Sequence, residues 1–245
     1  MPTPIDLEQI EWGTGERRFL IVHGLGSNAA GWWRVGPALA DAGFRVTAVD
    51  LRGHGESHSP GDYSMDGYAA DLLALGDKWD VVLGHSLGGA AVVQALTGRP
   101  AWAGRVILED PLLIILDQGA AVEYVTTDLG SDVTLGMVAA SNPTWHPEDA
   151  RIKLEAQQQA GREVIENSIV HNPGWNVVGA VAALAVPTLL LGADPNRDPL
   201  VPPALGTSLA EMNPNIEFHT IPDASHSMHR DEYDAFMRLV LRFVL

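Results

Sequence analysis

Four short apolar runs recur along the first half of the chain: Phe19-Leu20-Ile21-Val22, Val46-Thr47-Ala48-Val49, Val81-Val82-Leu83 and Val106-Ile107-Leu108. Each is too short for a helix and is bounded by polar or glycine-rich segments, so each predicts a strand buried on both faces. Between them, apolar residues fall at helical spacing over 29–42, at Tyr68, Leu72 and Leu75, and through Ala90-Ala91-Val92-Val93 to Leu96. Strand and helix alternate, which predicts an α/β fold with a mostly parallel sheet flanked by helices. The segment 5–12 alternates loosely before Gly13-Thr14-Gly15 and reads as an edge strand and turn.

The pattern changes at Asp110-Pro111. Roughly seventy residues follow without strand periodicity, too many for an ordinary connection. They carry a helical patch over 148–169 and loop punctuation at Asn142-Pro143, His146-Pro147 and Asn172-Pro173. The expectation is a helical cap over 111–184, inserted into a core made of 1–110 and 185–245. Strand pattern resumes over 187–191; a helix at 203–212, a strand at 216–221 and a closing amphipathic helix at 232–245 complete the chain.

Composition narrows the chemistry more than the fold. A chain of 245 residues, 46% hydrophobic and 19% charged, suits one α/β domain with an insertion. The net charge of −16 disfavours nucleic acid and anionic membrane as partners. With no cysteine, thiolate catalysis, disulfides and cysteine-ligated metals are excluded. The N-terminal residues lack a basic start and an apolar stretch, and no apolar run approaches the ~20 residues of a membrane span. The plain reading is a cytoplasmic protein; the oligomeric state is left open.

Gly84-His85-Ser86-Leu87-Gly88-Gly89 lies between the third of the four apolar runs and a helix. Gly-x-Ser-x-Gly at such a corner is a nucleophile elbow, whose glycines let the chain turn tightly and lift the serine clear of the sheet. The Leu87 N–H then falls in the first turn of the helix, where unpaired donors favour a developing negative charge. Seryl oxygen is a poor nucleophile while protonated, so it needs a neighbouring base that titrates near neutrality. Of nine histidines, His226 has the best claim, in the loop Asp223-Ala224-Ser225-His226 after the last strand. His85 points away from the corner, and His229 is expected to begin the final helix.

These segments, with His23-Gly24 and Asp50-Leu51-Arg52-Gly53-His54-Gly55-Glu56-Ser57, resemble the α/β-hydrolase superfamily over nearly the whole chain outside the cap. The resemblance implies an oxyanion hole from the Leu87 and Leu25 N–H groups, with His23 bracing the loop that holds Leu25. It leaves the acid of the triad between three aspartates. Most family members place it in the loop that here runs Asp194-Pro195-Asn196-Arg197-Asp198-Pro199. Asp198 lies farther beyond Pro187 than is usual there, and Asp194 nearer. Asp110 matches members such as haloalkane dehalogenases, whose acid follows the earlier strand. Asp110 is therefore preferred, with Asp198 and then Asp194 as alternatives.

Three other patterns compete. Gly24-Leu25-Gly26-Ser27-Asn28-Ala29, with Asp50 ending the next strand, imitates a dinucleotide fingerprint. Asp194-x-Asn196-x-Asp198 imitates a calcium loop but lacks its glycine and bidentate glutamate. His226 and His229 lack a third metal ligand in pattern. No cofactor or metal is therefore expected. The expectation is a serine hydrolase that cleaves a small, mainly apolar carboxylic ester or lactone through an acyl-enzyme on Ser86. Carbon–carbon or thioester hydrolysis is the alternative within the fold, and a non-catalytic or dinucleotide-binding protein the alternative outside it.

Overall fold

The computed structural model describes residues 2–127 and 133–245. In the inner strand β2 (Arg17–Val22), Leu20 and Val22 join one apolar layer while Phe19 and Ile21 join the other. That period of two lets one strand serve two buried faces. Around it stand β1 (Gln9–Trp12), β3 (Phe44–Val49), β4 (Trp79–His85), β5 (Ala103–Glu109), β6 (Thr188–Gly192) and β7 (Ile216–Thr220). Their order is β1-β3-β2-β4-β5-β6-β7, and of these pairings only β1 with β3 is antiparallel.

Helices α2 (Met65–Ala74), α3 (Leu87–Gly98) and α8 (Pro203–Met212) cover one face. Helices α1 (Val35–Asp41) and α10 (Tyr233–Val244) cover the other. The chain adds β3 on one side of β2 and then returns to add β4 on the opposite side. Loops leaving β2 and β4 thus diverge at the carboxyl edge, which opens a crevice at the reversal point. Ser86 sits there.

Two helical expectations need correction. The apolar pattern over 29–42 is not one helix but a 3-10 turn, Ala29–Trp32, followed by α1. The Asn28 side chain caps only that first turn, accepting the Gly31 N–H at 3.2 Å, and Trp33 and Arg34 then turn outward to reach Asp149. His229 does not begin the final helix; it lies in a separate four-residue helix, α9 (Met228–Asp231), ahead of α10.

Between β5 and β6 lie α4 (Gln118–Thr126), α5 (Leu135–Ser141), α6 (Pro147–Val170) and α7 (Val178–Ala182). Helix α6 starts where its sequence favours it: His146 accepts the Glu148 N–H, Pro147 opens the first turn, and Glu148 and Asp149 follow. It breaks at Gly161, where φ 70 and ψ 168 suit glycine alone. An isolated bridge between Ile114 and Asn176 ties the two ends of the insertion together.

Candidate active site

Ser86 lies between β4 and α3 with φ 53 and ψ −118, a conformation that costs a non-glycine residue ~1–3 kcal/mol. Contacts on every side hold it there. Its N–H donates to the Glu109 carbonyl at 3.0 Å, and its carbonyl accepts from Leu112 at 3.1 Å. The glycines around it are needed for space. A Cβ on Gly84 would stand 2.7 Å from Gly89 Cα, and one on Gly88 2.4 Å from the His23 carbonyl oxygen. Gly24 is pressed against the corner, since a Cβ there would meet Ser86 Cβ at 2.9 Å.

This close approach brings the residue after Gly24 beside the elbow. Among the described residues the Leu25 N–H meets no protein acceptor, and the Leu87 N–H stands at the first position of α3, where no intrahelical partner exists. His23 fixes the loop from beneath. Its Nδ1–H donates to the Gly24 carbonyl at 2.7 Å, and its Nε2 accepts the Leu51 N–H at 3.0 Å. Burial pulls its pKa down to about 4, so the ring is neutral in this tautomer.

His226 and Asp110 meet. The imidazole Nδ1–H donates to Asp110 Oδ2 at 2.7 Å, and the ring lies 4.6 Å from that of His85, next in chain to Ser86. The Asp110 side chain is fully buried, whereas that of His226 is 37% exposed at the crevice. Asp110 is also held by two backbone donors, Leu200 at 3.1 Å and Val201 at 2.9 Å. The loop carrying the other two aspartates therefore wraps the Asp110 carboxylate with N–H groups. Asp198 is exposed there. Asp194 takes the N–H groups of Asn196 and Asp223 at 2.8 and 2.9 Å. Neither is brought to His226.

The competing patterns are placed elsewhere. Asp50 accepts the Ala29 and Glu56 N–H groups at 2.6 and 2.9 Å, so its oxygens are committed to backbone donors of the loop after β2 and of its own loop. The Gly26 turn is roofed by α6: Lys153 Nζ donates to the Gly26 carbonyl at 2.9 Å, and a Cβ on Gly26 would reach Ile165 Cδ1 at 3.2 Å. Among the described residues no three His, Asp or Glu side chains gather for a metal. Trp145 braces the core, its indole N–H donating to Asp231 at 2.9 Å beneath Arg230. A hollow of about 260 Å³ between Leu96, Thr97, Ala180 and Leu184 lies at the far end of α3, ~15 Å of helix away from Ser86.

Residues 19–239 match the Alpha/beta hydrolase family. The chain belongs to that family. A lipase of Mycobacterium tuberculosis is 33% identical over 132 residues, 52% of this chain and 49% of the lipase. The chain spans only about a third of the length of uncharacterised mycobacterial proteins that it also matches, 34% in each case. A putative carbamate hydrolase of Variovorax paradoxus is 27% identical over 92% of this chain and 90% of its own. Among solved structures, a thermophilic esterase of Thermogutta terrifontis superposes with a TM-score of 0.78 at 25% identity, covering 98% of this chain and 94% of the esterase. These hydrolase relatives share the fold while their names cover different bonds. No helix among the described residues is long and apolar enough to cross a membrane.

Sequence reasoning gives no site role to three side chains that gather around His226 and Asp110: His85, Glu109 and His229. Glu109 carries no motif and is fully buried. His85 was read only as flanking the serine. The signal they do carry is a chemical one: His85 and Glu109 immediately precede Ser86 and Asp110, and His229 follows His226 by three residues.

Proposed function

We propose that this α/β-hydrolase cleaves a carboxylic ester or lactone through an acyl-enzyme on Ser86. The observation that carries the reading is the 2.7 Å bond from His226 to Asp110 beside the strained Ser86 corner. Ser86 Oγ attacks the carbonyl carbon as His226 Nε2 takes its proton; the carbonyl π pair moves to oxygen. The Leu25 and Leu87 N–H groups face that oxyanion, and each such donor is worth ~3 kcal/mol in comparable sites. His226 then returns the proton to the leaving alcohol, and water repeats the sequence to free the acid. Asp110 holds the tautomer that makes this possible and stabilises the imidazolium.

The helices over 111–184 act as a cap in this reading and set substrate choice. Leu112 and Ile165 contribute apolar surface near the elbow, which favours an uncharged acyl portion. A fluorophosphonate probe tests the chemistry: covalent attachment at Ser86, absent in Ser86→Ala, is expected. A panel of neutral and anionic p-nitrophenyl esters, lactones, thioesters and β-diketones tests the bond. Preference for thioesters or carbon–carbon cleavage over neutral esters by tenfold or more in kcat/KM, about 1.4 kcal/mol, would replace the ester reading. So would preference for strongly anionic esters.

A further inference from the structure

A second carboxyl–imidazole pair lies behind the first. Glu109 Oε1 accepts the His229 backbone N–H at 2.9 Å, and the His229 ring Nδ1 lies 2.9 and 3.0 Å from the two Glu109 oxygens. Glu109 and Asp110 are consecutive at the end of β5, so their side chains leave on opposite sides. Asp110 takes the ring of His226, and Glu109 takes His229 three residues later. Across the ladder His85 is the register partner of Glu109. Its Nε2–H donates to the His226 carbonyl at 3.0 Å, and its ring packs 5.3 Å from that of His229.

Stability alone explains why a buried glutamate should bond a buried histidine. It does not explain why the neighbouring strand also grips the main chain of His226 itself. Ring, carbonyl and the helix that follows are each fastened to a different strand-end residue: Asp110, His85 and Glu109. A misplacement of 1 Å in a reacting group costs ~100-fold, and the His226 ring has an open side toward the crevice.

We propose that His85, Glu109 and His229 are positioning residues that set the height and orientation of the His226 imidazole over Ser86. The inference rests on the serine-hydrolase reading above. Near neutral pH the three groups are uncharged: burial pushes Glu109 up to about 8 and draws His85 and His229 well below the usual histidine range. The charges facing Glu109 are those of Asp110, Arg230 and the imidazolium of His226 when it forms. Those facing His229 are Arg230, Arg34, Asp149 and Asp231. A neutral Glu109 adds no second carboxylate charge beside the Asp110–His226 pair. An amide can then replace the acid: glutamine offers an oxygen to the His229 N–H and an N–H to the ring.

The test compares Glu109→Gln, Glu109→Ala and His85→Phe in the full chain. It measures melting temperature, the rate of fluorophosphonate labelling at Ser86, and kcat and KM for a p-nitrophenyl ester from pH 5 to 9. Glu109→Gln should stay within about threefold of wild type. Glu109→Ala and His85→Phe should lose ~10- to 100-fold in kcat and in labelling rate with KM nearly unchanged, and should shift the acid limb of the pH profile. Wild-type labelling and an unmoved pH profile in folded His85→Phe would overturn the proposal, whatever the melting temperature does. Equal loss in Glu109→Gln and Glu109→Ala would overturn it too. If Glu109→Ala does not fold, the other two variants still decide. Failure of wild type to label at Ser86 would instead sink the hydrolase reading itself.

Discussion

The loops at the carboxyl edge of the sheet and the helices inserted between β5 and β6 are held in different ways. At the edge, main chain is locked into the ladder: Ser86 N–H to Glu109, Asp110 N–H to Leu191 at 2.8 Å, and two loop donors onto the Asp110 carboxylate. The inserted helices rest on the core through side chains. Asp149 accepts from Trp33 and Arg34 at 2.9 and 2.7 Å, Lys153 donates to the Gly26 carbonyl, and Gln159 accepts from Asn28 at 3.1 Å. The outer surface of the insertion leaves Leu116, Tyr124, Leu135 and Met137 exposed. Backbone ladders fix atoms to within tenths of an ångström, whereas side-chain props tolerate substitution. On the function proposed above, bond-making belongs to the edge and substrate choice to the insertion.

The sharpest way to break that assignment is at the serine. Ser86→Ala should keep the fold, because the corner depends on its glycines, and should lose ~10³-fold or more in kcat. Near-wild-type turnover in a purified sample free of host esterase would remove chemistry from the edge altogether.

The acid comes next in size. Asp110→Asn should cost ~10²-fold or more in kcat/KM, since an amide fixes the wrong tautomer of His226. Asp194→Asn and Asp198→Asn should cost less, as one only accepts backbone N–H groups from its own turn and from Asp223 and the other is exposed. Collapse of Asp198→Asn with Asp110→Asn unharmed would show that the later loop supplies the carboxylate after rearranging. Circular dichroism of all three variants excludes misfolding as the cause.

The two regions also differ in what acid does to them. Under the edge, burial lowers His23 to about 4 and His54 to about 3, against about 6.5 for both when unfolded. The unfolded chain binds more protons below 6.5, so stability falls as pH drops through that window. Each ring contributes ~1.4 kcal/mol per pH unit at full effect. Melting temperature should therefore decline steadily from pH 6.5 toward 4. If the carboxylate pairs of the insertion set the acid limit instead, the curve stays flat until the carboxylate range near ~4.

The inner sheet was legible because burial on two faces leaves continuous apolar runs, and β2 to β6 fall where those runs stand; β1 and β7, at the edges, carry only a mixed pattern of polar and apolar residues. The segment over 29–42 misled because its apolar spacing is helical while Asn28 and Asp149 impose a break that only three-dimensional contacts create. The site was legible in part for a related reason. Glycine spacing advertises a tight corner, and spacing beside the family pattern ranks Asp110 ahead of Asp198 and Asp194, but it says nothing of the Leu200 and Val201 N–H groups that hold the Asp110 carboxylate. Four non-glycine residues of the described chain have positive φ: Ser86, Asp110, Asp198 and Asp223. All four lie in loops around the site. Strain of that kind is imposed by neighbours, so apart from Ser86 in its motif it left no mark in the sequence.

The smallest expected effect lies on the outer surface of the insertion. Tyr124 is 80% exposed and Met137 54%, on α4 and α5. Little apolar area is hidden at either side chain, so Tyr124→Ser and Met137→Ser should change stability by less than ~0.5 kcal/mol. Labelling at Ser86 should be untouched, because neither residue reaches the strand ends. What the pair sharpens is the reach of the insertion over the substrate. Comparing kcat/KM for short and long acyl p-nitrophenyl esters in the double variant reads this directly. An unchanged ratio confines substrate choice to the inner side of the insertion, near Leu112 and Ile165. A ratio that moves several-fold while melting temperature stays put would mean that long acyl chains run out across α4 and α5. A fall in labelling rate would be the damaging result, since it would place the outer insertion in the bond-making that the comparison gives to the edge.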